Sequence, residues 1–208
     1  MYAFSRVSKQ GRYLIYAIIG GFIIGSALSF VAINGIPLVL FFVQSNADVA
    51  RGFIWELFTS IIIVPWSGLG LIDVFFNALA VYFVDPLLSS VYSERQYYLT
   101  FLFTGFFGNL LSFVFYSSQI VSFGASGGIF GLIAGAVSYD YAFNKRVNMN
   151  LLGWFLFVFV FSTFSARNID VFAHLGGSLL GIGIGYYLGS TNRKKYLRGA
   201  YYGWSSYP

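Results

Sequence analysis

Long apolar blocks dominate the chain, separated by short breaks of charge, glycine, proline or serine: residues 13–33, 71–91, 97–117, 126–143, 149–166 and 171–189. Each approaches the about 20 mostly apolar residues that a helix needs to cross a bilayer. The pattern predicts an all-α, multi-pass membrane protein with a bundle of six transmembrane helices. The breaks orient it, because Lys and Arg collect in cytoplasmic loops. With the N-terminus inside, that side holds Arg6, Lys9, Arg12, Arg95, Lys145, Arg146, Arg193, Lys194, Lys195 and Arg198, and the other side holds only Arg51 and Arg167. Such a split fits an even number of spans with both termini in the cytoplasm, in a cell membrane. The chain then divides into a cytoplasmic segment 1–12, a six-span core 13–189 and a basic, aromatic tail 190–208 suited to the membrane interface.

Residues 37–70 break the pattern. They are apolar but interrupted by Asp48, Arg51, Glu56, Pro65 and several glycines, so we read them as an interfacial or re-entrant segment. Irregular backbone at that depth is tolerated only where protein or a watery cavity satisfies its polar groups, so this segment is expected to cover or line something. We find no internal repeat and no soluble domain.

Composition agrees with the blocks: of 208 residues, 58% are hydrophobic and 9% charged. The first block is too long for a secretory signal and has no small-residue cleavage site, so it is expected to stay as a span. The absence of cysteine excludes disulfides, thiolate metal sites and cysteine nucleophiles, and the single histidine, His174, excludes a multi-histidine metal site. No metal or other cofactor is expected. A net charge of +5 sits between and beyond the apolar blocks, which points to anionic lipid head groups and not to nucleic acid.

Two blocks carry small residues every fourth position: Gly127, Gly131 and Gly135 in the fourth, Gly177, Gly181 and Gly185 in the sixth. Spacing of this kind lets helix backbones approach closely in a membrane, and taken alone it reads as a packing face. Topology adds chemistry. Both spans start from the outer side, Ser126 opens the fourth, and His174 lies about 6 Å into the sixth at the usual helical rise. The two side chains can share one depth. An ionisable group within a membrane is a functional candidate by default, and a nucleophilic hydroxyl requires a base within hydrogen-bond reach. We therefore read Ser126 and His174 as a catalytic dyad.

Competing bases fail by side. Lys9, Lys145, Lys194 and Lys195 belong to the cytoplasmic face, a membrane thickness from Ser126. An aspartyl mechanism needs two adjacent carboxylates, and Asp140 has no good partner near the inner end of its span. No HExxH zinc-protease motif is present.

The residues Gly124-Ala125-Ser126-Gly127 in the fourth span and His174, Gly177 and Gly181 in the sixth, preceded by Asp170 and Ala173, resemble the G-x-S-G and H-x-x-G-x-x-x-G motifs of the rhomboid family of intramembrane serine proteases. The resemblance runs from the first span to about Gly189. It implies a six-transmembrane-helix rhomboid-like bundle with Ser126 as nucleophile and His174 as general base. It implies too that Phe130 matches an aromatic that packs on the histidine ring, and that Gly124 belongs to the supporting loop. Trp55-Glu56 keeps half of a Trp-Arg pair, and Glu94-Arg95 resembles the acidic and basic pair after the second span, though a solvated loop explains it equally well. The departure is in the second span. Where the family has H-x-x-x-N, with both side chains helping to hold the oxyanion, this chain has Asp73 and Asn77. An ionised carboxylate would repel an oxyanion, so Asp73 must be protonated and donating, or turned to another partner.

The resemblance implies cleavage of transmembrane protein substrates near the outer ends of their spans, where a helix must first unwind. Ser117, Ser118, Gln119 and Ser122 offer a hydrophilic route for water, and residues 37–70 and the loop around Arg167 are candidates for controlling access. Two other readings are a non-catalytic rhomboid-like protein that binds transmembrane helices, and a small transporter lined by Asp73, Asn77, Asn109 and His174.

Overall fold

The computed structural model describes residues 7–164 and 169–204 of the chain. Arg6, Arg167, the last two residues of the expected fifth span and the final residues of the tail lie outside the described residues.

The first apolar block forms α1, Lys9–Ser29, started by Ser8, whose side chain accepts from the Gly11 amide. It ends four residues before the expected Ile33 because Asn34 and Gly35 both take positive φ, 51° and 80°, and turn the chain into a hairpin of β1, Ala32–Ile33, against β2, Ile36–Pro37. An Asn-Gly pair is the sequence best suited to that tight turn. A 3-10 turn over Leu38–Phe41 follows, then β3, Gln44–Ser45, and the short helices α2, Asn46–Ala50, and α3, Glu56–Thr59. The helix α4 covers Gly68–Val91 and α5 covers Glu94–Phe115. The α5 start carries a reciprocal cap: Gln96 accepts from the Ser93 amide while the Ser93 side chain accepts from the first turn. Glu94 sits in that exposed first turn, 3.4 Å from Lys9 Nζ, as the solvated-loop reading expects. After β4, Val121–Ser122, come α6, Ser126–Asn144, α7, Met149–Phe164, and α8, Val171–Trp204.

Four of these helices are long and apolar enough to cross a membrane: α1, α4, α5 and the Val171–Gly199 part of α8. The other two expected spans fall short for different reasons. α7 is apolar but short, and α6 is diluted by glycines, Tyr139 and Asp140. The burial of α6 explains its composition, because Gly127 to Ala136 are buried without interruption. A helix enclosed by its neighbours needs small residues more than greasy ones. α8 continues past the expected end at Gly189, since Arg193, Lys194, Lys195, Leu197 and Arg198 are good helix formers and no proline interrupts them. The protein is an integral membrane protein built from an all-α bundle.

The core lies where α6 meets α4, α5 and α8. A Cβ placed on Gly177, Gly181 or Gly185 would overlap the carbonyl oxygen of Gly127, Gly131 or Gly135 respectively, so the two glycine stripes lie backbone to backbone. Lower down, Ser138 Oγ donates to the Ile182 carbonyl at 2.8 Å and extends the same seam. Tyr92, at the end of α4, donates its hydroxyl to the Leu132 carbonyl on α6 at 3.1 Å.

The irregular segment 37–70 is tied into the bundle by polar groups. Asn109 on α5 donates to the Leu57 carbonyl at 2.9 Å and to Ser60 Oγ at 3.0 Å. Gln44 Nε2 reaches the Asn109 carbonyl at 3.1 Å, and Asn46 Nδ2 reaches the carbonyls of Ser112 and Ser117. Backbone that departs from helix at this depth is thus supplied with partners by the protein. The side chain of Asn109 is occupied in holding this segment, which is not the task of a group lining a transport path.

Candidate active site

The site begins with the loop that delivers Ser126. β3 pairs with β4 in antiparallel register, Gln44 opposite Ser122 and Ser45 opposite Val121. The Gly124 amide then donates to the Ser60 carbonyl at 2.9 Å. Residues 37–70 therefore hold the strand that leads into the serine. Gly124 has φ +122°, a conformation that residues with a side chain rarely adopt, and a Cβ there would lie 2.6 Å from Asp73 Oδ1. Both restrictions select glycine. The chain enters α6 through Ala125, and Ser126 is its first residue.

His174 comes from the first turn of α8 and is 4% exposed. The backbone approach of Gly127 and Gly177 brings α8 close enough for His174 Nε2 to lie 2.8 Å from Ser126 Oγ. Its other nitrogen, Nδ1, lies 2.9 Å from Thr163 Oγ1 on α7. The ring is walled by Phe130, with centroids 4.6 Å apart, and by Phe159, 6.4 Å away. The start of α8 is fixed by Asp170, whose carboxylate accepts from the Ala173 amide, Ser112 Oγ and Ser122 Oγ. Asp170 so joins α5, the β4 strand and α8 around the histidine.

On the opposite side Asp73 and Asn77 share one face of α4, as the i, i+4 spacing expects. Asn77 is buried and faces the Asp73 carboxyl, while Asp73 Oδ2 is enclosed without a hydrogen-bond partner. Asp73 thus lies beside Gly124, two residues before the serine. Ser117, Ser118 and Gln119 are exposed, whereas Ser122 is spent on Asp170.

Two features escaped the sequence reading. Thr163 carried no signal beyond being one of three hydroxyls in a Phe- and Val-rich block. Glu56, where the resemblance implies an arginine, is fully buried: Oε2 accepts from the Ser45 amide at 2.8 Å and Oε1 has no partner. Loss of hydration pushes its carboxyl up to about 7. The residue that half-breaks the Trp-Arg pair is therefore an internal acid that holds β3, and Trp55 donates from its indole to the Phe41 carbonyl at 2.9 Å.

The family model described as the Rhomboid domain matches residues 51–191, which takes in both the serine loop and the start of α8. The chain belongs to the rhomboid family. Curated relatives place it among rhomboids of bacteria and plants. Rhomboid protease GluP of Bacillus subtilis (strain 168) is 32% identical over 152 residues, 71% of this chain and 29% of that protein. RHOMBOID-like protein 1 of Arabidopsis thaliana is 33% identical over 138 residues, 64% of this chain and 34% of its own length. Rhomboid-like protein 11, chloroplastic, of Arabidopsis thaliana is 31% identical over 124 residues, 51% of this chain and 44% of its own. The matches span about a third of the first two relatives, which are much longer proteins.

Proposed function

We propose that this rhomboid is an intramembrane serine endopeptidase that hydrolyses peptide bonds in or near transmembrane segments of membrane proteins, with Ser126 as nucleophile and His174 as base. The observation that carries the reading is the 2.8 Å separation of Ser126 Oγ and His174 Nε2 in the midst of a membrane bundle. As Oγ attacks the scissile carbonyl carbon, Nε2 takes its proton, and the former carbonyl oxygen becomes the oxyanion. His174 then gives the proton to the leaving amine. A water, deprotonated by the same nitrogen, releases the acyl group from Ser126.

The oxyanion needs donors. The first-turn amides of α6 have no acceptor within the helix and lie at its positive end, which suits them to that role. Asn77 Nδ2 and a neutral Asp73 complete it in our reading, with Gly124 shaping the loop between them. Phe130 braces the imidazole. Gly127, Gly131, Gly177 and Gly181 serve the site indirectly, by letting α6 and α8 meet.

With α6 and α7 counted beside the four longer helices, the bundle has six spans, both termini on the cytoplasmic side and the dyad in the outer half of a cell membrane. Water reaches it past Ser117, Ser118 and Gln119. Substrates are transmembrane proteins whose helices unwind near the cut, the surrounding partners are anionic lipids, and the chemistry calls for no cofactor.

The test is labelling of the purified, detergent-solubilised protein with a fluorophosphonate probe, which reacts with activated serines. Wild type is expected to label, and Ser126→Ala and His174→Ala are each expected to abolish both labelling and cleavage of a transmembrane peptide. Residual turnover in either variant would sink the dyad. One observation favours a second reading, the Asp73 carboxyl with one unpartnered oxygen where the resemblance implies histidine. A folded wild type that fails to label would move the protein to the non-catalytic, helix-binding class.

A further inference from the structure

A neutral imidazole carries one proton on two nitrogens. For Nε2 to accept the Ser126 hydroxyl proton, the ring proton must sit on Nδ1, and a buried N–H without an acceptor is destabilising. The structure supplies an acceptor in Thr163 Oγ1, 2.9 Å from Nδ1, on a residue 1% exposed. The carboxylate nearest along α8, Asp170, is one turn away and already bound by Ser112, Ser122 and the Ala173 amide.

We propose that Thr163 is a positioning residue: its hydroxyl accepts the Nδ1 proton and so holds His174 in the tautomer that leaves Nε2 free to act as base. The proposal rests on the protease reading of Ser126 and His174. The neighbouring hydroxyl shows the contrast. Ser162 Oγ turns back to the Val158 carbonyl at 2.7 Å, an ordinary helix-internal bond, whereas Thr163 Oγ1 faces the imidazole. A β-branched threonine in a helix is restricted to two main rotamers, and the one seen here aims Oγ1 at the imidazole.

The helix that carries it gives the contact a second meaning. Phe159, on the same face of α7 one turn earlier, walls the ring at 6.4 Å. α7 is otherwise bound to the core by aromatic packing, with Phe155 and Phe159 against Phe130 at 6.5 and 5.3 Å. Displacing α7 removes the proton acceptor and one wall of the ring together.

His174 is the only histidine of the chain, so its two nitrogens can be read without assignment when the protein is made with ¹⁵N-histidine and purified on a histidine-free tag. Wild type, Thr163→Val and Thr163→Ser are compared at neutral pH in detergent. Valine keeps the shape and removes the hydroxyl, and serine restores it. Wild type and Thr163→Ser are expected to show the Nδ1–H tautomer. Thr163→Val is expected to show a mixture, with kcat lowered about ten- to a hundredfold and KM little changed. That loss is smaller than the about ten-thousandfold cost of a wrong tautomer where a carboxylate is the partner.

An Nε2–H tautomer in wild type would overturn the proposal. So would a Thr163→Val protein with wild-type ring signals and labelling rate, or a Thr163→Ser protein as impaired as Thr163→Val. A wild type with the Nδ1–H tautomer that no fluorophosphonate labels would instead overturn the protease reading while leaving the hold of Thr163 on the ring intact.

Discussion

At the scale of the residue, Asp73 is a position where this chain departs from the motif it otherwise resembles and where charge decides the outcome of the proposed reaction. Its carboxyl lies against Gly124 with one oxygen unpartnered, close to where negative charge develops in the proposed reaction. Asparagine has the shape of the neutral acid and can donate, so Asp73→Asn is expected to keep kcat/KM within a few fold, and Asp73→His to do the same or better. Asp73→Ala removes the donor and is expected to lower kcat/KM about a hundred- to a thousandfold, the usual cost of one oxyanion contact. Steady-state cleavage of a transmembrane peptide decides it; full activity in Asp73→Ala would place the residue outside the oxyanion site. Gly124 shows a different kind of residue-level constraint. The G-x-S-G resemblance marks it in the sequence, but its reason is conformational and steric, and only its φ of +122° and the nearby carboxylate make that visible.

At the scale of the element, the paired glycine stripes of α6 and α8 are legible as packing faces from their spacing, and the structure seats one on the other. The same helix offers its own control. Gly181 has no room for a Cβ beside the Gly131 carbonyl, whereas Gly183, two residues on, has nothing within 4 Å. Gly181→Ala is expected to destabilise the folded protein by about 1–3 kcal/mol, as overpacking commonly does. Gly183→Ala is expected to leave stability unchanged or raise it by up to about 1 kcal/mol through better helix propensity. Reversible unfolding in mixed detergent measures both, and equal effects would mean that the seam does not carry the bundle. The short elements between α1 and α4 were only partly legible. Their apolar yet interrupted composition predicted irregular backbone that covers something, but not that β3 would pair with β4. Strand pairing across 76 residues depends on where α5 places the two segments, and no local pattern records it.

At the scale of the whole molecule, the orientation we propose from the distribution of Lys and Arg is easy to test, because the chain has no cysteine. Lys9→Cys and Lys145→Cys are expected to react with a membrane-impermeant maleimide only from the cytoplasmic side of sealed vesicles, and Arg51→Cys only from the outer side. Labelling of Lys9→Cys and Lys145→Cys from opposite faces would break the six-span topology and with it the shared depth of Ser126 and His174. Much of this protein is determined by sequence alone, because the bilayer imposes long apolar helices and their charge-marked ends. The sequence also narrows the proposed chemistry, since a single histidine leaves few bases for a serine. Helix limits were less legible: an Asn-Gly turn cut α1 short, and α8 ran on through a basic tail. Only tertiary structure decided how the histidine is held. The nearness of Thr163 Oγ1 to Nδ1, the bracing by Phe130 and Phe159, and the fixing of α8 through Asp170 are contacts between separate elements. Each depends on close approach of helices in three dimensions, and hydrophobic periodicity along one helix carries no information about the side chain that meets it from another.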